Sequence, residues 1–312
     1  SRGGRALRLR GFPLHVLIFL LPSLVLIAVF LLYPIFYTLY LSFVDEKGHF
    51  VGFANYVRTL FRSEVLDFKR LKGFPWKSPP YGALIHNLIW IAIHLPLTTF
   101  LGLVLAVWLR NVKGASVIKA IIFLGMVIPM VVSGIMIHFT FEEDVGVFNA
   151  ILGVFGVKGK SWLAYPETAL YTLALSSVWL WAGFSMVAYS AGLEAIPREL
   201  YEAADVDGAT PIQKFFWITI PMLKPVTMTV VTMTILWELK MFDFVYAATL
   251  GGPGGSTNVL ALQAYFDYFW SVPPETGLAC SLASIMTLMC LGVFLVALRP
   301  VLKTLVRRGI IR

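Results

Sequence analysis

Charge is scarce in this 312-residue chain: Asp, Glu, Lys and Arg together make up 13% of it, against 58% hydrophobic residues. A soluble surface takes roughly a quarter charged residues, so a water-dissolved domain is excluded and the membrane becomes the solvent. Cysteine is nearly absent too. Cys280 and Cys290 fall in one apolar segment, and ten helical residues at about 1.5 Å each separate them beyond disulfide reach. No disulfide framework or thiolate metal site is readable. The formal charge of +8 does not restore a nucleic-acid reading, because the basic residues sit in short clusters beside apolar runs instead of along a polar stripe.

Long apolar runs are plentiful. Six stretches reach the length of about 20 residues that a bilayer demands, at 14 to 40, 84 to 109, 118 to 140, 168 to 192, 222 to 249 and 277 to 299. In lipid these must be helices, so the expected fold is all-α and polytopic with six spans. The first follows a basic N-terminus, as a signal peptide would, but it is too long and lacks a small-residue cleavage site before Tyr33 and Pro34. It is read as a spanning helix, with 1–13 a short tail and 14–312 one transmembrane domain.

Basic residues set the orientation. Arg2, Arg5, Arg8 and Arg10 precede the first span, Arg110, Lys113 and Lys119 follow the second, and Arg299, Lys303, Arg307, Arg308 and Arg312 end the chain. These segments and the 193 to 221 connection belong in the cytoplasm, with both termini. Residues 250 to 276 carry no Lys or Arg and residues 141 to 167 carry two, whereas residues 41 to 83 carry seven against four acidic ones. That basic external loop runs against the rule. Within it, Val51 to Leu71, with Phe53, Tyr56, Val57 and Leu60 at helical spacing, reads as an amphipathic helix on the outer surface.

The 193 to 221 connection is longer than a turn between spans requires. Glu199, Tyr201, Glu202, Ala203 and Ala204 favour a helix after Pro197, and Gly208 supplies a left-handed turn at its end. Thr210, Pro211, Ile212 and Gln213 spell a capping box for a second helix, continued by Phe215, Phe216, Trp217 and Ile218. Two short helices about a glycine hinge make a shape that inserts into another protein's groove; on the residues alone, a solvated re-entry loop explains the segment equally well.

Glu202, Ala203 and Ala204, then Gly208, then Ile218, Thr219, Ile220 and Pro221 closely resemble the EAA motif of ABC importer permeases, departing at Ile220 where leucine is usual. FLLPSL and LYPIFYTLYLSF at 19 to 43, VGFANYVRTL at 51 to 60, VGVFNAILGVFGV at 145 to 157 and TLGGPGGST at 249 to 257 extend the resemblance to the carbohydrate-uptake, maltose-type branch in its shorter six-helix form, without a large extracellular insertion. The resemblance implies the type I importer permease fold in the inner membrane. It implies a coupling helix docked on an ATPase subunit, with Arg198, Glu202, Ala203, Ala204, Asp205, Gly208 and Pro221 in the joint. It further implies a second homologous permease, two ATPase subunits that bind ATP and Mg, an extracytoplasmic sugar-binding protein, and no cofactor or catalysis in this chain.

By the same resemblance, sugar contacts fall on the helices flanking the coupling segment, at Ser177, Leu180, Trp181 and Phe184 and at Thr234, Trp237, Glu238 and Met241. Each set has i, i+3, i+4, i+7 spacing, hence one helical stripe. Aromatic faces suit sugar rings, although such stripes in membrane helices more often serve packing. Glu238 stands apart, because a carboxylate in a span must face protein or water, and it and Trp237 are the preferred sugar contacts. Lys240 and Asp243, three apart, are expected to satisfy one another. His86 and His94 lie about 12 Å apart along one helix, too far for a joint metal site, and are read as packed or interfacial. Gly159, Lys160 and Ser161 lack the glycine and strand of a nucleotide-binding loop.

Two other functions compete. An ion-gradient transporter would use Glu238, Lys240 and Asp243 as a proton relay, but no internal repeat or broken helix is evident to support it. An intramembrane enzyme lacks a nucleophile, base and orienting group. Within the leading reading the substrate is a di- or oligosaccharide, with α-linked glucose a candidate; glycerol phosphate is the alternative, against which Glu238 weighs.

Overall fold

The computed structural model describes residues 14–74 and 78–307. The expected tail at 1–13 and the basic residues Arg308 and Arg312 lie outside the described residues. Apart from an isolated bridge between Val44 and Phe50, the described residues fold as helices and connecting loops.

In chain order the helices are α1 (Leu14–Ile27), α2 (Tyr33–Leu41), α3 (Ala54–Phe61), α4 (Phe68–Leu71), α5 (Ala83–Trp108), α6 (Ala115–Val127), α7 (Met130–Thr140), α8 (Val147–Val154), α9 (Pro166–Glu194), α10 (Arg198–Val206), α11 (Pro211–Lys214), α12 (Ile220–Met222), α13 (Lys224–Leu239), α14 (Asp243–Thr249), α15 (Leu260–Tyr265) and α16 (Thr276–Arg307). One π turn joins α1 to α2, and another joins α11 to α12. Four stretches are long and apolar enough to cross a membrane: Ile18–Leu41, Ala83–Asn111, Pro166–Glu194 and Thr276–Arg299. The count reaches six when two bent pairs are each taken as one span.

Both bends correct the reading of uninterrupted spans. The run at 118 to 140 breaks between α6 and α7 by 96°. Pro129 causes it: the residue before a proline is pushed out of the helical region, and Ile128 has ψ 130°. The run at 222 to 249 is also divided. Its first part bends by 61° against the preceding segment, next to Pro221 and Pro225. At its far end α13 stops at Leu239, and α14 begins a separate helix that packs on α7. The absence of broken helices therefore no longer argues against an ion-coupled transporter.

The core lies where α5, α9, α13 and α14 converge. Trp90, Leu170, Leu173, Leu180, Trp181 and Phe244 fill it. The pairing of α5 with α9 is the most extensive, and α6 covers α9 from the other side. Gly183 allows that approach, because a Cβ there would stand 2.8 Å from the Phe123 Cα. The Ile18–Leu41 span is almost wholly exposed on the chain and touches it mainly through α16. Lipid or another chain must cover its apolar side chains.

Candidate functional site

Two regions concentrate the chemistry, at one end of the bundle and in its middle. At the end, α9 stops at Glu194 and α10 begins after Pro197, which caps it with ψ 135° instead of entering its first turn. No residue of α10 is buried. Arg198, Glu202, Ala203, Asp205, Gly208 and Pro221 are exposed and Ala204 is half-buried, while Val206 is 88% exposed. Gly208 has φ +75°, a backbone state that other residues enter at a cost, with open space where a Cβ would sit. The capping box is present: Thr210 N–H donates to Gln213 Oε1 at 2.7 Å, and Gln213 N–H donates to Thr210 Oγ1 at 3.3 Å.

Three contacts hold this projecting helix. Asp205 pairs with Lys214 Nζ at 2.5 Å, closing α10 on α11. The hydroxyls of Tyr201 and Thr219 lie 2.9 Å apart. Arg110, just past the end of α5, lies 5.4 Å from the centroid of the Tyr201 ring. The sequence reading missed Tyr201, Thr219, Lys214 and Arg110 as anchors; the amphipathic placement of Tyr201 among acids and alanines was their one visible signal.

In the middle of the bundle the two proposed stripes meet. Trp181 and Trp237 stack with ring centroids 4.7 Å apart and planes 18° from parallel, and Phe184 meets Trp237 edge-on at 4.8 Å. Ser177, Leu180, Trp181, Thr234, Glu238 and Met241 are buried, while Phe184 and Trp237 remain half-buried. The stripe on α13 ends early: Met241 lies beyond the helix end at Leu239, so it reaches the core from a loop.

Glu238 has a protein partner. Its carboxylate contacts the imidazole of His94 on α5, and both side chains are at most 1% exposed. The His94 ring also meets Trp181 edge-on at 6.4 Å. The reading of His94 as simply packed or interfacial is therefore corrected; an ionisable residue within a span requires a partner in the same way that Glu238 does. Lys240 and Asp243 do not satisfy one another, for neither takes part in an ion pair among the described residues and both are exposed. The break between α13 and α14 removes the continuous helix on which that expectation relied.

Beyond Glu238, a polar chain runs to the other end of the bundle. Asn87 Nδ2 donates to the Glu238 carbonyl at 2.9 Å, and its Oδ1 accepts from Leu260 N–H at 2.9 Å. His86 Nε2 accepts from Tyr81 N–H at 2.8 Å, which leaves Nδ1 to donate to the Asn258 carbonyl at 2.8 Å. Asn258 donates to Gln263 and Gln263 to Asp267, and Asp267 receives Arg62 at 3.0 Å. Burial raises the Asp267 carboxyl above the ordinary range, against the opposing pull of Arg62 and Gln263. The segment at Gly159, Lys160 and Ser161 forms an ordinary turn, with the Lys160 carbonyl bonded by Asn149 and its ammonium over Trp162. Among the described residues no three His, Cys, Asp or Glu side chains gather as metal ligands.

Residues 98–308 match the family described as binding-protein-dependent transport system inner membrane component. A probable ABC transporter permease protein of Pyrococcus horikoshii is 54% identical over 256 residues, covering 80% of this chain and 86% of that protein. The trehalose/maltose transport system permease protein of Thermococcus litoralis is 34% identical over 257 residues, covering 80% and 81%. A crystal structure of a bacterial ABC transporter involved in the import of the acidic polysaccharide alginate shares the fold, with a TM-score of 0.75 and 23% identity over 91% of this chain and 93% of that one. With its apolar spans and helical bundle, the chain thus belongs to the inner membrane components of binding-protein-dependent transport systems, the permeases of ABC importers.

Proposed function

We propose that this chain forms half of the translocation pathway of an ATP-driven sugar importer and catalyses no chemistry itself. One observation carries the reading: α10 projects from the bundle with its acids and alanines exposed, yet is held at three points, the form a docking element needs. A partner ATPase would bind Arg198, Glu202, Ala203, Ala204, Asp205 and Gly208 and supply the ATP and Mg chemistry. A second permease would complete the pathway, and an extracytoplasmic binding protein would deliver the sugar. Both termini would then lie in the cytoplasm with α10.

The substrate assigned is a di- or oligosaccharide, with an α-glucoside the narrower choice. The trehalose/maltose relative supports it, as does the aromatic wall of Phe184 and Trp237, the half-buried members of the two stripes. Trp181, Ser177, Leu180, Thr234 and Met241 back that wall, and Glu238 reaches a sugar when His94 yields it.

The test is ATPase turnover of the co-purified assembly in lipid, with and without binding protein and candidate sugars. Sugar-stimulated turnover is expected in the wild type and lost in Glu202→Ala and Gly208→Asp; turnover indifferent to both changes sinks the coupling role. A glycerol phosphate importer would respond to that ester in place of sugars. The bent helices and the His94–Glu238 pair favour one second reading, ion-coupled transport. Uptake that survives ATP depletion and collapses with the ion gradient would establish it.

A further inference from the structure

The loop between the first two spans contains a helix whose amphipathicity is inverted. One expected helix from Val51 to Leu71 is instead two, α3 and α4. The polar side of α3 faces the protein: Asn55 Nδ2 donates to the Ser42 and Val44 carbonyls at 3.0 and 2.9 Å, and the hydroxyls of Thr59 and Ser281 lie 2.6 Å apart. Arg62, one turn on, reaches buried Asp267. The opposite side is apolar and open, with Phe53 71%, Val57 54% and Phe61 70% exposed. In water a helix hides its apolar stripe and shows its polar one; the reverse holds where the surroundings are hydrocarbon.

Its position gives the same answer. Ala83 N–H bonds to the Glu64 carbonyl at the start of α5, whereas the far end of α5 carries Arg110 against Tyr201. Thus α3 lies at the end of the bundle opposite α10. Ser281 lies within the Thr276–Arg299 span, a little more than one turn from its start, so the bond from Thr59 fixes α3 at the depth where hydrocarbon gives way to headgroups. Phe50, itself 75% exposed, stacks on Phe43 at 6.2 Å, and Phe61 stacks on Phe68 at 5.8 Å, extending the aromatic surface to α4. Beside that surface Arg58, Lys69 and Lys72 are exposed.

We propose that α3 and α4 are seated in the lipid boundary of the membrane face opposite α10, with Phe53, Val57 and Phe61 among the acyl chains and Arg58, Lys69 and Lys72 on anionic phospholipid headgroups. The excess of positive charge in the 41 to 83 loop then serves lipid binding and not topology, which removes the one exception to the charge rule. The inference rests on the membrane fold and not on which solute is carried.

The full chain with Cys280→Ser and Cys290→Ser, carrying Val57→Cys labelled with a nitrobenzoxadiazole dye, would be reconstituted into vesicles of phosphatidylcholine and phosphatidylglycerol. Nitroxide-bearing lipid is expected to quench the dye while aqueous iodide does not; the same dye on Ser63→Cys, off the stripe, should respond to iodide and report that the segment is folded. Nitroxide on phosphatidylglycerol should quench at least about two-fold more than nitroxide on phosphatidylcholine at equal mole fraction, and Arg58→Ser, Lys69→Ser and Lys72→Ser together should abolish the excess. Iodide quenching at Val57→Cys, or protection from both quenchers as a covering protein or second copy would give, overturns the proposal, as does equal quenching by the two lipids in the wild-type background.

Discussion

His94 on α5 meets the carboxylate of Glu238 on α13 in the buried middle of the bundle, so the two helices are joined by an acid and an imidazole that have no access to water. Removing one member strands the other. His94→Ala should cost about 3–5 kcal/mol, the usual loss when one partner of a buried pair is deleted. Combining it with Glu238→Gln should cost clearly less than the sum of the single changes. Unfolding of the four proteins in detergent closes the cycle; simple additivity would mean that the contact carries no coupling.

Trp237 is stacked on Trp181 and met edge-on by Phe184. An aromatic pair of this kind contributes about 0.5–1.5 kcal/mol beyond its buried area. Trp237→Phe keeps a ring in place and should preserve the unfolding temperature within a few degrees while weakening sugar-stimulated uptake, whereas Trp237→Ala should lower both. Unchanged uptake in Trp237→Ala would remove this residue from the sugar pathway.

Tyr201 is the tether between the projecting helix and the bundle. Tyr201→Phe deletes its bond to Thr219 but keeps the ring beneath Arg110, a loss of about 1 kcal/mol. Turnover in the assembled transporter should become less responsive to sugar, with basal hydrolysis retained; full stimulation would show that the hydroxyl does not transmit.

Gly183→Val forces side-chain atoms into the backbone of α6 near Phe123. Overpacking of this type costs about 1–3 kcal/mol. Gly153→Val, where a Cβ meets open space, is the control and should change the unfolding temperature little.

Asp267 provides a pH signature outside the spans. Its pKa is raised in the fold, primarily by burial, above the ordinary 3.8. A carboxyl held high favours folding most when protonated, so its contribution is full below pH 3.8 and falls as pH rises through the raised value. Asp267→Asn should flatten the unfolding temperature across that window; an unaltered profile would show that Asp267 titrates normally.

Much of the fold was legible because lipid permits so few solutions. Apolar length locates α5, α9 and α16 to within a few residues, and Thr210 with Gln213 marks the start of α11. What escaped was where apolar runs bend. Pro129 sits in a run whose hydropathy never falters, so length alone reads through it, although its steric demand on Ile128 was available. The partner of Glu238 was not legible either, since His94 stands 144 residues earlier and only the pairing of α5 with α13 brings the two together.

The segment after Gly208 continues from Thr210 through a π turn and Pro221 into α13, whose far end holds Glu238. The docking end and the acid–histidine contact are thus two ends of one lever, fulcrumed at the 61° bend. A 16-residue arm is about 24 Å long, so a swing of roughly 5° would carry its tip about 2 Å. That displacement is enough to part a hydrogen-bonded pair. A small push at the surface would be read in the middle of the membrane as a bond made or broken.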